Sequence, residues 1–220
     1  MSTAAVASEF CAPAVAASPT DVTTCAALHD IHAPDHAAVV WKRELDRDLA
    51  AWLAQLPAEM LPTERIVLRP EQVGAALDAT FSRAATPECA ERDVLQGDIA
   101  RLATTFAEIL SVPFVRLRLE AVSNNACSKF HIDAVRARLI CTYRGTGTQF
   151  SEQRGDASAE DVVTVPTSAP VILRGTLWPV SESARLYHRS PPIAGTGTTR
   201  LLLVLDPIDD PDAEADPVFL

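Results

Sequence analysis

The stretch KFHIDAVRARLICTYRGTG, residues 129–147, sets His131 and Asp133 two positions apart at the head of a strand-like run. Side chains two apart in an extended chain project to the same side. One imidazole nitrogen and one carboxylate oxygen can therefore reach the same small volume. His188, in ARLYHRSPP, is the only histidine C-terminal to His131 and offers a third donor. Two histidines and one carboxylate form the facial set that binds ferrous iron and leaves positions open for a chelating cosubstrate and dioxygen. With Cys127 added, the same residues make a closed tetrahedral zinc site instead, with no place for a substrate. A second group, Cys25, His29, His32 and His36, has ligand types at helix-like spacing, but Pro34 interrupts the helix that would align them.

Positioning these donors needs a rigid frame, and the hydrophobic periodicity describes one. Residues 37–57 carry Leu45, Leu49, Trp52, Leu53 and Leu56 at helical spacing, ended by Pro57. A second helix starts with Pro70 and puts Val73, Leu77 and Phe81 on one face. The third, residues 91–110, shows the stripe Leu95, Ile99, Leu102, Phe106 and Ile109, with Pro113 beyond it. From Val112 the period becomes two: FVRLRLEAV alternates Val115, Leu117 and Leu119 with Arg116, Arg118 and Glu120. VRARLICTYR, APVILRGTLWP, ARLYH and TRLLLVLD continue the strand-like runs, divided by Gly-, Ser- and Pro-rich turns. Helices followed by a block of strands predict an α+β domain, a β-sandwich or barrel with helices packed on one sheet. The last run is apolar on both faces, as a strand covered on both sides requires.

The domain is expected over residues 26–206, with helical support at 37–111 and the β core at 112–206. A disordered leader, 1–25, precedes it and an acidic flexible tail, 207–220, follows. The net charge of −10 at pH 7 carries no basic stripe and argues against nucleic acid as a partner. Five cysteines without a CxxC do not form a secreted disulfide scaffold. No apolar stretch is long enough to span a bilayer, and the N-terminus lacks a basic signal-peptide region. A cytoplasmic protein is expected, acting on a small-molecule or protein substrate that the sequence does not specify.

Arg200 opens the last strand, and its planar fork can bond a carboxylate bidentately. The order His131-x-Asp133, His188, Arg200 resembles that of the 2-oxoglutarate- and iron(II)-dependent dioxygenases, whose distal histidine is followed by a basic residue at about this distance. The resemblance implies a double-stranded β-helix (jelly-roll, cupin-like) core, iron(II) and 2-oxoglutarate as cofactors, and Arg200 as the anchor of the cosubstrate's far carboxylate. Leu202 stands where that family usually carries a small hydroxyl residue. Tyr143 either offers its hydroxyl to a cosubstrate carboxylate or packs in the core, and Arg138 faces the cavity or its rim. From about His29 to Asp206 the chain also resembles a bacterial domain family of unknown function, number 1826. The shared motifs are Cys-x-x-Phe-His-x-Asp at 127–133, Arg-Leu-x-x-Thr-Tyr-Arg-Gly-x-Gly-Thr at 138–148, and His-Arg-Ser-Pro at 188–191. That family's association with zinc-handling genes keeps Zn(II) as the alternative metal.

Overall fold

The computed structural model describes residues 18–153, 159–179 and 186–212. The expected leader as far as residue 17 and the expected tail beyond residue 212 lie outside the described residues. In chain order the elements are β1 (Thr20–Val22), β2 (Ala38–Trp41), α1 (Arg47–Gln55), β3 (Glu64–Leu68), α2 (Val73–Arg83) and α3 (Ala90–Leu110). They continue with β4 (Phe114–Val122), β5 (Ala137–Arg144), β6 (Gln149–Ser151), β7 (Val163–Thr164), β8 (Val171–Arg174), β9 (Tyr187–Arg189) and β10 (Arg200–Ile208). The result is a mixed α+β structure with a seven-stranded sheet, in the order β1-β2-β8-β5-β10-β4-β3, and a three-stranded sheet β7-β6-β9.

The helices follow their sequence signals. Asp46 caps α1, its carboxylate accepting from the N–H groups of Asp48 and Leu49 at 2.9 and 3.1 Å. Helix α3 begins with Glu91 and Asp93 in its first turn, where they favour the positive end of the helix dipole. It ends at Ser111, which takes the left-handed conformation at φ 52° so that its N–H can reach the carbonyls of the last turn. Every member of the expected α3 stripe is buried, from Leu95 to Ile109.

Three segments within the expected helical support or leader are strands. Residues 38–41 were expected inside the first helix, yet they form β2, because Ala38, Val39 and Val40 are buried on both sides of a sheet interior where β-branched residues pack well. Thr20–Val22, expected in the leader, pairs with β2 in parallel as β1, with Val22 buried. Residues 64–68, read as no element, form β3 at the opposite edge.

Alternation splits β5 and β10 cleanly. Ala137, Leu139, Cys141 and Tyr143, with Leu201, Leu203 and Leu205, join α3 residues such as Leu102 and Phe106 in one core cluster. Ile140, Leu202 and Val204 face the other way and join Phe150 and Leu186 from the side of the small sheet. The double-apolar β10 is thus covered on both faces, as its composition requires.

A buried ionic network ties the helical side together. Arg43 donates two parallel hydrogen bonds to Asp98 of α3, both at 2.6 Å, while the Tyr143 hydroxyl donates to the same carboxylate at 2.6 Å and Arg101 at 2.5 Å. Burial raises the Asp98 carboxyl, but the hydrogen bonds and charge of Arg43, with those of Tyr143 and Arg101, outweigh it and hold it below its ordinary value. A carboxyl depressed by folding contributes stability that is present above its unfolded value, near about 4, and lost as pH falls through the lower folded value. Asp98→Ala, which strands the buried Arg43, is expected to cost roughly 3–5 kcal/mol by urea denaturation at neutral pH. That deficit should shrink as the pH is lowered below about 4.

Candidate metal centre

Strand β9 carries His188 into the core, and the loop after β4 brings His131 alongside it. The two residues form an isolated antiparallel bridge, His131 N–H donating to the His188 carbonyl at 3.0 Å and His188 N–H to that of His131 at 2.9 Å. Their rings lie 4.5 Å apart between centroids. Asp133 is set by the backbone of the loop after β8: Thr176 N–H donates to the Asp133 carbonyl at 2.9 Å, Gly175 N–H to Arg136 at 3.0 Å and Leu177 N–H to Val135 at 3.1 Å. Gly175 is required for that approach, since a Cβ there would lie 2.0 Å from the Val135 oxygen and 2.8 Å from that of Asp133.

These contacts bring together His131, Asp133 and His188, whose donor atoms all lie within 4.8 Å of one another. His131 Nε2 is 3.6 Å from Asp133 Oδ1, and His188 Nε2 is 3.0 Å from Oδ2. The Lys129 carbonyl lies 2.8 Å from His131 Nδ1. A carbonyl only accepts, so this contact puts the proton on Nδ1 and leaves Nε2 with its lone pair towards the site. Arg138 Nη1 stands 2.5 Å from Asp133 Oδ2. Neither Arg138 nor His188 meets hydrogen-bond geometry at Oδ2, which is buried without a hydrogen-bond partner. A buried carboxylate of this kind, with one oxygen towards each of two imidazole nitrogens, fits a bound cation.

The electrostatics agree with that donor set. Burial raises the Asp133 carboxyl, but contacts with His131 and His188 and the charge of Arg138 overcome it and push it far below the carboxylate range. His131 is raised, first by its contact with Asp133. His188 is lowered because burial disfavours its charged form.

Arg138 is held on its other side by Asp206, accepting from Nε at 2.6 Å and Nη2 at 3.0 Å. Asp206, the last residue of the expected domain, is buried within β10, which continues through Ile208 into the expected tail. A lone acid closing an otherwise apolar strand was its one signal. Arg138 lines the cleft beside His131 and His188, but two carboxylates already occupy its guanidinium, which does not suit it to anchoring a third. Tyr143 is a correction: it projects to the helical face, where its hydroxyl is committed to Asp98. Cys127 is another. It is exposed and lies outside the three-residue group, so the closed four-ligand zinc site does not form among the described residues. Its carbonyl instead accepts from Ser190 N–H at 2.9 Å.

Arg200 is fully buried. Its Nε donates to the Thr146 carbonyl at 2.7 Å, Nη1 to Ser190 Oγ at 3.2 Å and Nη2 to Thr142 Oγ1 at 3.1 Å, all neutral acceptors. Burial without a counter-charge pulls it down to about 10. Gly145 leaves room for this side chain, because a Cβ there would lie 2.9 Å from Arg200 Cγ. The second histidine group does not assemble. His32 bonds the Ile109 carbonyl at 2.9 Å and His36 that of Asp30 at 2.8 Å, while Cys25 contacts Thr105.

The sequence matches the family model described as "Protein of unknown function (DUF1826)" over residues 23–206. The chain belongs to the DUF1826 family. Comparison with curated proteins finds no match. Solved structures similar to this DUF1826 member include a dioxygenase for auxin oxidation from rice, at 15% identity and TM-score 0.47, covering 88% of this chain and 83% of that one. The Arabidopsis thaliana dioxygenase for auxin oxidation 1, in a binary complex with 2-oxoglutarate, stands at 12% identity and TM-score 0.48, covering 88% and 93%. A Pseudomonas putida prolyl-4-hydroxylase stands at 13% and 0.43, covering 92% and 99%. At such scores the likeness is remote, and the chemistry of the site rests on its own residues. Among the described residues no helix is long and apolar enough to cross a membrane.

Gly175→Ala is expected to lower metal affinity at least several-fold and to cost roughly 1–3 kcal/mol of stability, as overpacking does. Gly74→Ala, where a Cβ meets nothing within 4 Å, should leave both intact. Metal titration and thermal unfolding of the two variants check this.

Proposed function

We propose that this DUF1826 protein is an iron(II)- and 2-oxoglutarate-dependent oxygenase whose two sheets form a double-stranded β-helix. The observation that carries the reading is the convergence of His131, Asp133 and His188 into one three-residue donor set, with no fourth protein ligand among the described residues. Three protein donors suit a site that keeps positions for cosubstrate, whereas a structural zinc site closes with four. When bound there, ferrous iron supplies activation of dioxygen. The chain's own residues do the rest. His131 and His188 present ring nitrogens, Asp133 supplies charge, and Arg138 fixes the carboxylate between Asp206 and the donor set. Arg200, a buried cation held only by neutral groups, is suited to take the far carboxylate of 2-oxoglutarate, with Ser190 and Thr142 turning their hydroxyls to the same anion.

The test is anaerobic titration of purified protein with Fe(II) and 2-oxoglutarate, following the visible charge-transfer band. Wild type should develop the band. His131→Ala and His188→Ala should lose it, and His29→Ala should retain it. Arg200→Leu should keep metal binding but weaken 2-oxoglutarate roughly tenfold to a hundredfold, as expected for lost charge-assisted hydrogen bonds. A tightly held zinc with no band would overturn the reading.

A further inference from the structure

A second arginine in the cleft is only loosely satisfied. Arg118 lies on β4, opposite Val204 of β10, which in turn pairs with Ile140 of β5. That row forms part of the floor of a cavity of about 90 Å³ lined also by His131, His188 and Cys127. Arg118 has two ionic neighbours, Glu120 and Asp206, both at 3.6 Å and so beyond hydrogen-bond range. Asp206 is already spent bidentately on Arg138, and the Glu120 side chain is 40% exposed. The Arg118 Nε is buried with no hydrogen-bond partner. A guanidinium that is largely out of water, with a donor unmet and no acid within hydrogen-bond range, favours an added planar anion over its present state.

The surroundings define the rest of that anion. Val122, Ala126, Ile140, Leu202 and Val204 line the cavity with apolar surface. A molecule held at Arg118 meets this apolar lining in the same cavity as the histidines, which favours an apolar body on it. Arg200 lies on the same side of the sheet but in the row paired with Val122 and bonded to Ser190 and Thr142, so the two cations serve separate positions.

We infer that Arg118 is the substrate-recognition residue of this cleft, and that the substrate is a carboxylate carried on an aliphatic or otherwise apolar body. The inference rests on the oxygenase reading for the reaction, not for the binding. Glu120 beside Arg118 disfavours a dianion such as a phosphate monoester and leaves room for a monoanion.

Hexanoate and hexanamide serve as probes, titrated calorimetrically into the full-length protein, wild type and Arg118→Leu. Parallel titrations with Mn(II) and 2-oxoglutarate follow the cosubstrate site, and thermal unfolding follows the fold. Hexanoate is expected to bind wild type saturably and hexanamide not to. Arg118→Leu should weaken hexanoate roughly tenfold or more while leaving 2-oxoglutarate unchanged. Arg118→Lys, which keeps the charge but not the fork, should fall between. Absence of saturable hexanoate binding to wild type, equal binding of the amide, or loss of 2-oxoglutarate instead of hexanoate in Arg118→Leu would each overturn the assignment. If Arg118→Leu unfolds, the Arg118→Lys comparison decides, unchanged hexanoate affinity counting against it. Failure of Mn(II) and 2-oxoglutarate to bind while hexanoate recognition persists would remove the oxygenase reading and leave this one standing.

Discussion

The guanidinium of Arg138 lies between two buried carboxylates, Asp133 in the loop and Asp206 on β10. A carboxylate taken out of water costs several kcal/mol unless charge and hydrogen bonds replace its hydration. Asp133 is held ionised by its contacts with His131 and His188 together with the charge of Arg138, and Asp206 is the second acid that compensates Arg138 on the sheet. The ion triplet thus fastens the irregular loop to the rigid strand pair β5–β10. The backbone bonds from 175–177 and the bridge between His131 and His188 then fix orientation within a position that electrostatics has already chosen. Arg136 adds a mechanical tie from the same loop to the end of α3, donating to the Leu110 carbonyl at 3.1 Å.

Three arginines of the cleft face of the sheet show how burial and partners divide roles among identical side chains. Arg138 is raised because its acids outweigh its desolvation. Arg200 and Arg118 are lowered, the first by burial alone, the second by burial and by the nearby charge of Arg138. A satisfied guanidinium is architecture. A guanidinium without an opposing acid in hydrogen-bond range carries an uncompensated charge, and Arg200, bonded only to neutral groups, and Arg118 are two such cations on adjacent strands.

Much of this was legible in the sequence where a single period dominates. The α3 stripe, the β4 alternation and the doubly apolar β10 all fall where their patterns place them, since each is decided by one buried face or two. His131 and Asp133 were legible as a pair from their two-residue spacing, although the segment is an irregular loop and not the expected strand head, and His188 because no other histidine follows. Residues 20–22 and 38–41 were not, since short strands carry too few residues for a period, and their burial comes from neighbours distant in the chain. Tyr143 was misplaced as a candidate cosubstrate ligand for a related reason. Alternation puts it on the face of Cys141 and Leu139, and only the partner waiting there, Asp98 from a helix 45 residues away, decides what its hydroxyl does. The exclusion of Cys127 likewise depends on a loop, where φ is +57° and no periodicity applies.

The strand order has a consequence for how the molecule behaves in a crowded solution. Among the described residues, the seven-stranded sheet is not closed and ends in two rows of backbone groups, each a template for another chain. At one end stands β1, three residues long, with Asp21 paired to Lys42 at 3.2 Å. At the other, β3 begins with Glu64, drawn to Thr80 and Arg83 of α2, followed by the charged Arg65. Brevity at one margin and charge at the other make poor seeds for strand addition, so the architecture that opens a cleft between two sheets does so while discouraging self-association along its borders.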